Sequence, residues 1–242
     1  MKNAASVSRE GTKVFLAVPL RAVTANYGSE YARLSLQTPT VVEIGIDDFT
    51  GQYVKLFASG RGNPEEILNS LIDGVKSHGS RLEFGATLYE DELQLSELDD
   101  PKLPSAIRAK FDIVHLYLHY RANGLKTPDY LEQAKKLFPN AKILLGVYAY
   151  DRISYMPCEK GNPRPCSKQE ERDYLAKTLD VDIALLKTET AAGLEFYPGS
   201  FGREEEWSGW DKPRICPGRK QDCIDNTKAL RRVVADEFRK QM

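Results

Sequence analysis

The sequence predicts an α/β fold: a parallel, TIM-like (β/α) barrel forming a single domain over residues 1–242. Apolar, β-branched runs alternate with amphipathic stretches, the pattern of right-handed βαβ crossovers and a parallel sheet. The strand faces also differ. In residues 114–120, Val114, Leu116 and Leu118 share one face while His115, Tyr117 and His119 share the other. An open sheet with helices on both sides is aliphatic on both faces, whereas a narrow barrel interior accepts Gly, Tyr and His. Neither a Gly-x-Gly-x-x-Gly nor a phosphate-loop lysine motif follows any strand, so a nucleotide-binding open sheet loses its usual support.

The elements follow in order. VFLAVPL (14–20) reads as a strand, and 29–37 as a short helix with Ser29 as its N-cap. Residues 41–47 form a β-branched second strand. Residues 63–79 carry a full set of helix signals: Asn63 as cap, Pro64 in the first turn, Glu65 and Glu66 against the dipole, Gly79 at the end. Ile67, Leu68, Leu71, Ile72 and Val75 supply its apolar stripe. Residues 82–90 are the third strand, followed by a helix-poor stretch around Pro101 and Pro104. The fourth strand is 113–120; Thr127 caps a helix over 127–139 with Pro128 at its first position. The fifth strand is 142–150, a helix covers 167–188, the sixth strand is 193–199, and a last helix spans 225–240. Six strands fall short of the eight that close a barrel. Either the barrel is incomplete at its amino end, or residues 21–28 hide a further strand.

A formal net charge of −1 gives no support for a nucleic-acid partner. Apolar runs stop well short of the roughly 20 residues of a membrane span, so no membrane partner is expected. Residues 1–13 lack the apolar middle of a secretory signal, which leaves a cytosolic protein and the mature form of an exported one both open. Cys158 and Cys166 share one Pro/Gly-rich loop, Cys216 and Cys223 another. Such short separations suit two local disulfides and thereby an extracellular or periplasmic location; free thiols are the alternative. A zinc site is the other rival, without the tight spacing of zinc ribbons.

Parallel sheets and barrels bind ligands beyond the carboxyl ends of their strands. That rule selects Asp47, Asp48 and Glu92 as catalytic candidates. It selects Tyr89, His119, Tyr148, Tyr150, Asp151, Glu195, Tyr197 and Trp207 as substrate-binding candidates. Hydrolysis of a glycosidic bond needs one carboxyl that stays protonated and another that stabilises positive charge or acts as nucleophile or base. Adjacent acids such as Asp47 and Asp48 push one pKa upward. Strand alternation points Asp47 toward the barrel axis and leaves Asp48 to begin the loop. Tyr and Trp rings offer flat apolar faces to sugars. The plainer readings are a helix cap or a bond to a loop arginine for Asp47 and Asp48, a solvated loop for 90–92, hydrogen-bonded interior groups for His115 and His119, and packing for the tyrosines and Trp207. Neither a cofactor nor a metal is expected. A deacetylase-like metal site of Asp47, His115 and His119 is the weakest alternative, because residues four apart on a strand stand about 13 Å apart.

The segments YARLSLQTPTVVEIGIDDF, ATLYEDEL, FDIVHLYLHY, LFPNAKILLGVYAYD and GLEFYPG resemble a group of bacterial glycosidase-like barrel proteins, most without a known activity. The resemblance covers about residues 12–202 and implies a (β/α) barrel with a carbohydrate-related role. The Asp-Asp pair is also similar to that of substrate-assisted hexosaminidase-type hydrolases. That likeness implies that Asp47 orients the substrate's acetamido group and Asp48 is the general acid. The expected function is hydrolysis of a glycan or polysaccharide, with a non-catalytic carbohydrate-binding barrel as the alternative.

Overall fold

The computed structural model describes residues 14–20, 26–60, 62–100, 102–150, 157–197, 216 and 218–241. Six parallel strands, β1 (Val14–Ala17), β2 (Val41–Ile46), β3 (Glu83–Tyr89), β4 (Ile113–Tyr117), β5 (Lys142–Tyr148) and β6 (Gly193–Tyr197), alternate with helices. Their order in the sheet is β1-β2-β3-β4-β5-β6. Sequential order without a reversal point is the strand order of a (β/α) barrel, six of whose eight units are present among the described residues. The fold is therefore of the incomplete-barrel type. The strand considered within 21–28 falls largely outside the described residues.

The described residues divide into two compact units, those within Met1–Leu116 and Gln133–Ile143, and those within Tyr117–Glu132 and Leu144–Met242. In the first unit, Phe15 stands opposite Glu43 and Ala17 opposite Gly45; Glu43 in turn faces Glu83, and Gly45 faces Gly85. One sheet face is apolar and buried through Ile44, Ile46, Phe84, Ala86, Leu88, Val114 and Leu116. Phe111 is its hub, with ring centroids 5.0 Å from Phe84, 5.4 Å from Phe49 and 5.1 Å from Phe138. Edge-to-face pairs of this kind add about 0.5–1.5 kcal/mol each beyond burial.

The helices of this unit are α1 (Tyr27–Gln37), α2 (Phe49–Ala58), α3 (Pro64–Val75) and the single turn α4 (Ser105–Arg108). Asn63 caps α3 as expected, its side chain accepting from the Glu65 amide. Ser29 does not cap α1: the helix begins earlier, after Asn26, and Ser29 lies inside it. Helix α2 is not among the elements expected from sequence. Its buried Phe49, Tyr53 and Leu56 do repeat at helical spacing, but Gly51 and the lack of a capping side chain obscured its start.

In the second unit, Gly146 lies opposite Glu195, Val147 opposite Phe196, and Tyr148 opposite Tyr197. Val147, Leu194 and Phe196 pack on Leu175, Leu179 and Ile183 of α6 (Lys168–Lys187) and Leu230 of α7 (Lys220–Gln241). Helix α5 (Thr127–Leu137) starts from a 3-10 turn, so Thr127 is already helical and bonds Gly124 O instead of capping. Ser167 and Glu170 form a capping box on α6, and Arg164 grips the same Glu170 carboxylate at 2.8 and 2.9 Å. These bonds draw the Glu170 pKa down to about 2, the Arg164 bond first and the Ser167 bonds next.

Two disulfides, Cys158–Cys166 and Cys216–Cys223, tie the loop before α6 and the first turn of α7. They point to an oxidising compartment. Among the described residues, no helix is long and apolar enough to cross a membrane.

Asp182, buried in α6, has one carboxylate oxygen without a hydrogen-bond partner. Burial pushes its pKa up to about 7, against the pull of a hydrogen bond with Thr127. The folded protein thus holds this proton more tightly than the unfolded chain, whose Asp titrates near 4. The resulting stability is complete below about pH 4 and is lost as pH rises through about 7, at up to about 1.4 kcal/mol per pH unit. Urea denaturation across that window is expected to show this slope in the native protein, and Asp182→Asn should flatten it.

Candidate functional site

The first unit gathers the acidic candidates at the carboxyl ends of β2 and β3. Alternation along β2 sets Glu43 and Gly45 on one face, with Asp47 next in the series. The strand ends because Asp48 takes φ 48°, ψ 50°, a left-handed conformation costing a non-glycine residue about 1–2 kcal/mol. This turn converts strand into helix: the Asp48 carbonyl accepts the Gln52 amide of α2 at 3.0 Å. The Gln52 side chain donates to the Asp47 carbonyl and accepts the Leu20 amide at 2.7 Å, so the chain after β1 is tied to the end of β2.

Both Asp side chains remain open to solvent, in different settings. The Asp48 carboxylate accepts the Tyr89 hydroxyl at 2.7 Å. Glu92 accepts the Tyr89 amide at 3.2 Å and so steadies the turn that carries this tyrosine. Asp47 accepts the Asp48 amide at 3.1 Å. Its carboxyl is held above the ordinary Asp range, first by the protein packed around it and second by the Asp48 charge. The Asp48 amide, the Thr87 hydroxyl and His115 act in the opposite direction.

On the same sheet face, nearer the start of the strands, Glu43 Oε1 and His115 Nε2 lie 2.6 Å apart with both side chains buried. Gly85 makes the room: a Cβ there would lie 2.1 Å from Glu43 Oε1. Phe15 covers the imidazole with ring centroids 5.2 Å apart. Thr87, Gln52 and Glu43 were not among the residues singled out from sequence. The signal for Glu43 was present, a lone carboxylate inside the apolar run VVEIGI. For His115 the plainer reading holds: it is a hydrogen-bonded interior group, engaged by Glu43.

The second unit gathers the aromatic candidates. Tyr148, Tyr150 and Tyr197 form a triangle with centroids 5.7, 5.7 and 5.9 Å apart, all edge to face. Tyr117 joins at 4.8 Å from Tyr148, over Gly146, where a Cβ would strike the Tyr117 ring at 2.5 Å. Tyr150 is buried against Cys216, Cys223 and Ile224, while Tyr197 keeps 38% of its surface exposed. Arg121 donates to the Tyr150 carbonyl at 3.1 Å and stands 3.5 Å from buried Glu171. Glu195 faces Gly146 in register, and the His119 ring contacts Tyr120 at 6.4 Å. Asp151 and Trp207 lie outside the described residues.

A methyl group at position 85 is expected to separate Glu43 from His115. Gly85→Ala should therefore lower stability by about 1–3 kcal/mol in urea denaturation. It should also change the His115 ring resonances. An unperturbed ring at native stability would contradict the close packing.

No protein-family model matches the chain, and no curated protein matches it. Of the resemblance to glycosidase-like barrels, the parallel β/α strand order is what stands.

Proposed function

We propose that the protein is a glycoside hydrolase acting on a glycan or polysaccharide, with its acid–base centre at Asp47 and Asp48. One observation carries this reading: two adjacent, solvent-accessible carboxyl groups at a strand's carboxyl end have unlike environments. Carboxyl pairs whose surroundings drive their pKa values apart are suited to divide acid and base work. Asp47, whose carboxyl is held above the ordinary Asp range, is placed to protonate the departing glycosidic oxygen. Asp48, oriented by the Tyr89 hydroxyl, is placed to stabilise positive charge at the anomeric carbon as water completes the exchange. This distribution reverses the roles implied by the hexosaminidase likeness. The backbone strain at Asp48 also favours a working residue, since such strain gathers at functional sites. Glu92 serves by holding the Tyr89 turn.

The test is product analysis on a panel of glycans. Asp47→Asn and Asp48→Asn are each expected to cut turnover by about 10²–10⁴-fold with the fold intact. Full turnover by either variant would remove that residue from the mechanism.

A second reading, carbohydrate binding without turnover, draws on the tyrosine triangle of the second unit and the exposed ring of Tyr197. It expects glycan retention without product. Tyr197→Ala should weaken retention about tenfold or more on a glycan array, whereas Asp48→Asn should leave it unchanged.

A further inference from the structure

We propose that Glu43 and His115 are a positioning pair for Asp47: Glu43 holds the buried imidazole in its charged form, and that fixed positive charge offsets the Asp48 carboxylate beside Asp47. The inference rests on reading Asp47 as a working acid.

The geometry is specific. Glu43, Gly45 and Asp47 follow one another on one face of the β2 chain, and the uncharged Phe15 ring lies over Gly45, 2.8 Å from where a Cβ there would stand. On β3 the register sets Gly85 beside Gly45, and His115 Nε2 would lie 3.5 Å from a Cβ at Gly85. The ring therefore sits over Gly85, two residues before Thr87, whose hydroxyl bonds the Asp47 carboxyl. That spacing is about 7 Å along a strand. The 2.6 Å contact lies just below the short end, about 2.7 Å, of charge-assisted N–H···O bonds. A carboxylate buried as deeply as Glu43 needs a partner charge, and His115 is the one placed to supply it. The ring is buried while the Asp47 carboxyl faces solvent, so water weakens the ring's field without removing it, and His115 acts on Asp47 in the direction that releases its proton.

Among the described residues, the groups around Asp47 can be named by element. β2 and the following turn give Glu43 and Asp48; β3 gives Thr87 and Tyr89; β4 gives His115. β1 gives the uncharged Phe15, and α2 the uncharged Gln52. Of these, His115 alone can carry positive charge.

Carboxyl ¹³C NMR of the full chain, titrated in the native protein and in His115→Gln, tests the proposal without any substrate. The Asp47 midpoint is expected to rise in the variant by about half a pH unit or more, about a threefold gain in proton affinity. An unchanged or lower midpoint would overturn the pairing. Should His115→Gln not fold with Glu43 left alone, the decision falls to the native ring. Ring ¹⁵N shifts of the native protein at pH 7 decide independently: an imidazolium pattern supports the pair, and a neutral ring rejects it. A merely structural role would change folding stability and leave the midpoint in place. Failure of the hydrolase reading would look different, with no product formed from any glycan while the midpoint still moves.

Discussion

A carboxylate inside a parallel sheet needs a partner and space, and the first unit is arranged around supplying both to Glu43. His115 provides the partner at 2.6 Å. Glycine at 85 provides the space, because even a methyl group there would overlap the carboxylate. Removing one member of such a pair leaves the other buried and uncompensated, which typically costs about 3–5 kcal/mol. The polar face is therefore bound to strand register: a one-residue slip would send Glu43 into the aromatic layer around Phe111.

The turn after β2 rests on the same logic at the surface. Asp48 adopts a left-handed backbone that few side chains tolerate, and Gln52 and Tyr89 hold the turn through three hydrogen bonds to Asp47 and Asp48, with a fourth from Leu20 to Gln52. The turn carries the chain from strand to helix within two residues and leaves both Asp side chains at the solvent edge. Their difference in environment, rather than their presence, is what suits them to acid–base work.

The second unit solves a different problem, the bracing of aromatic side chains near a strand end. Tyr150 rests on the Cys216–Cys223 disulfide, and its carbonyl receives Arg121. Glu171 and Asn226 extend that polar contact into α6 and α7, with Asn226 donating to Glu171 at 3.3 Å and accepting Arg172 at 3.1 Å. Disulfide and hydrogen-bond network together fix the rings while Tyr197 stays accessible.

The alternation of apolar strands with periodic helices, and the contrast between aliphatic and Gly/Tyr/His strand faces, were legible in the sequence because both arise from local periodicity. So were the Asn63 cap and the placement of acids at strand ends. Helix α2 was not, because its start depends on a backbone turn at Asp48 that no capping residue announces. The sequence by itself determined the parallel β/α order and the short cysteine loops. Only the tertiary structure decided that Glu43 meets His115 across 72 positions, that Tyr89 reaches Asp48, and that the cysteines pair within their loops. Those outcomes follow from register between strands distant in sequence, which side-chain periodicity within one strand does not encode.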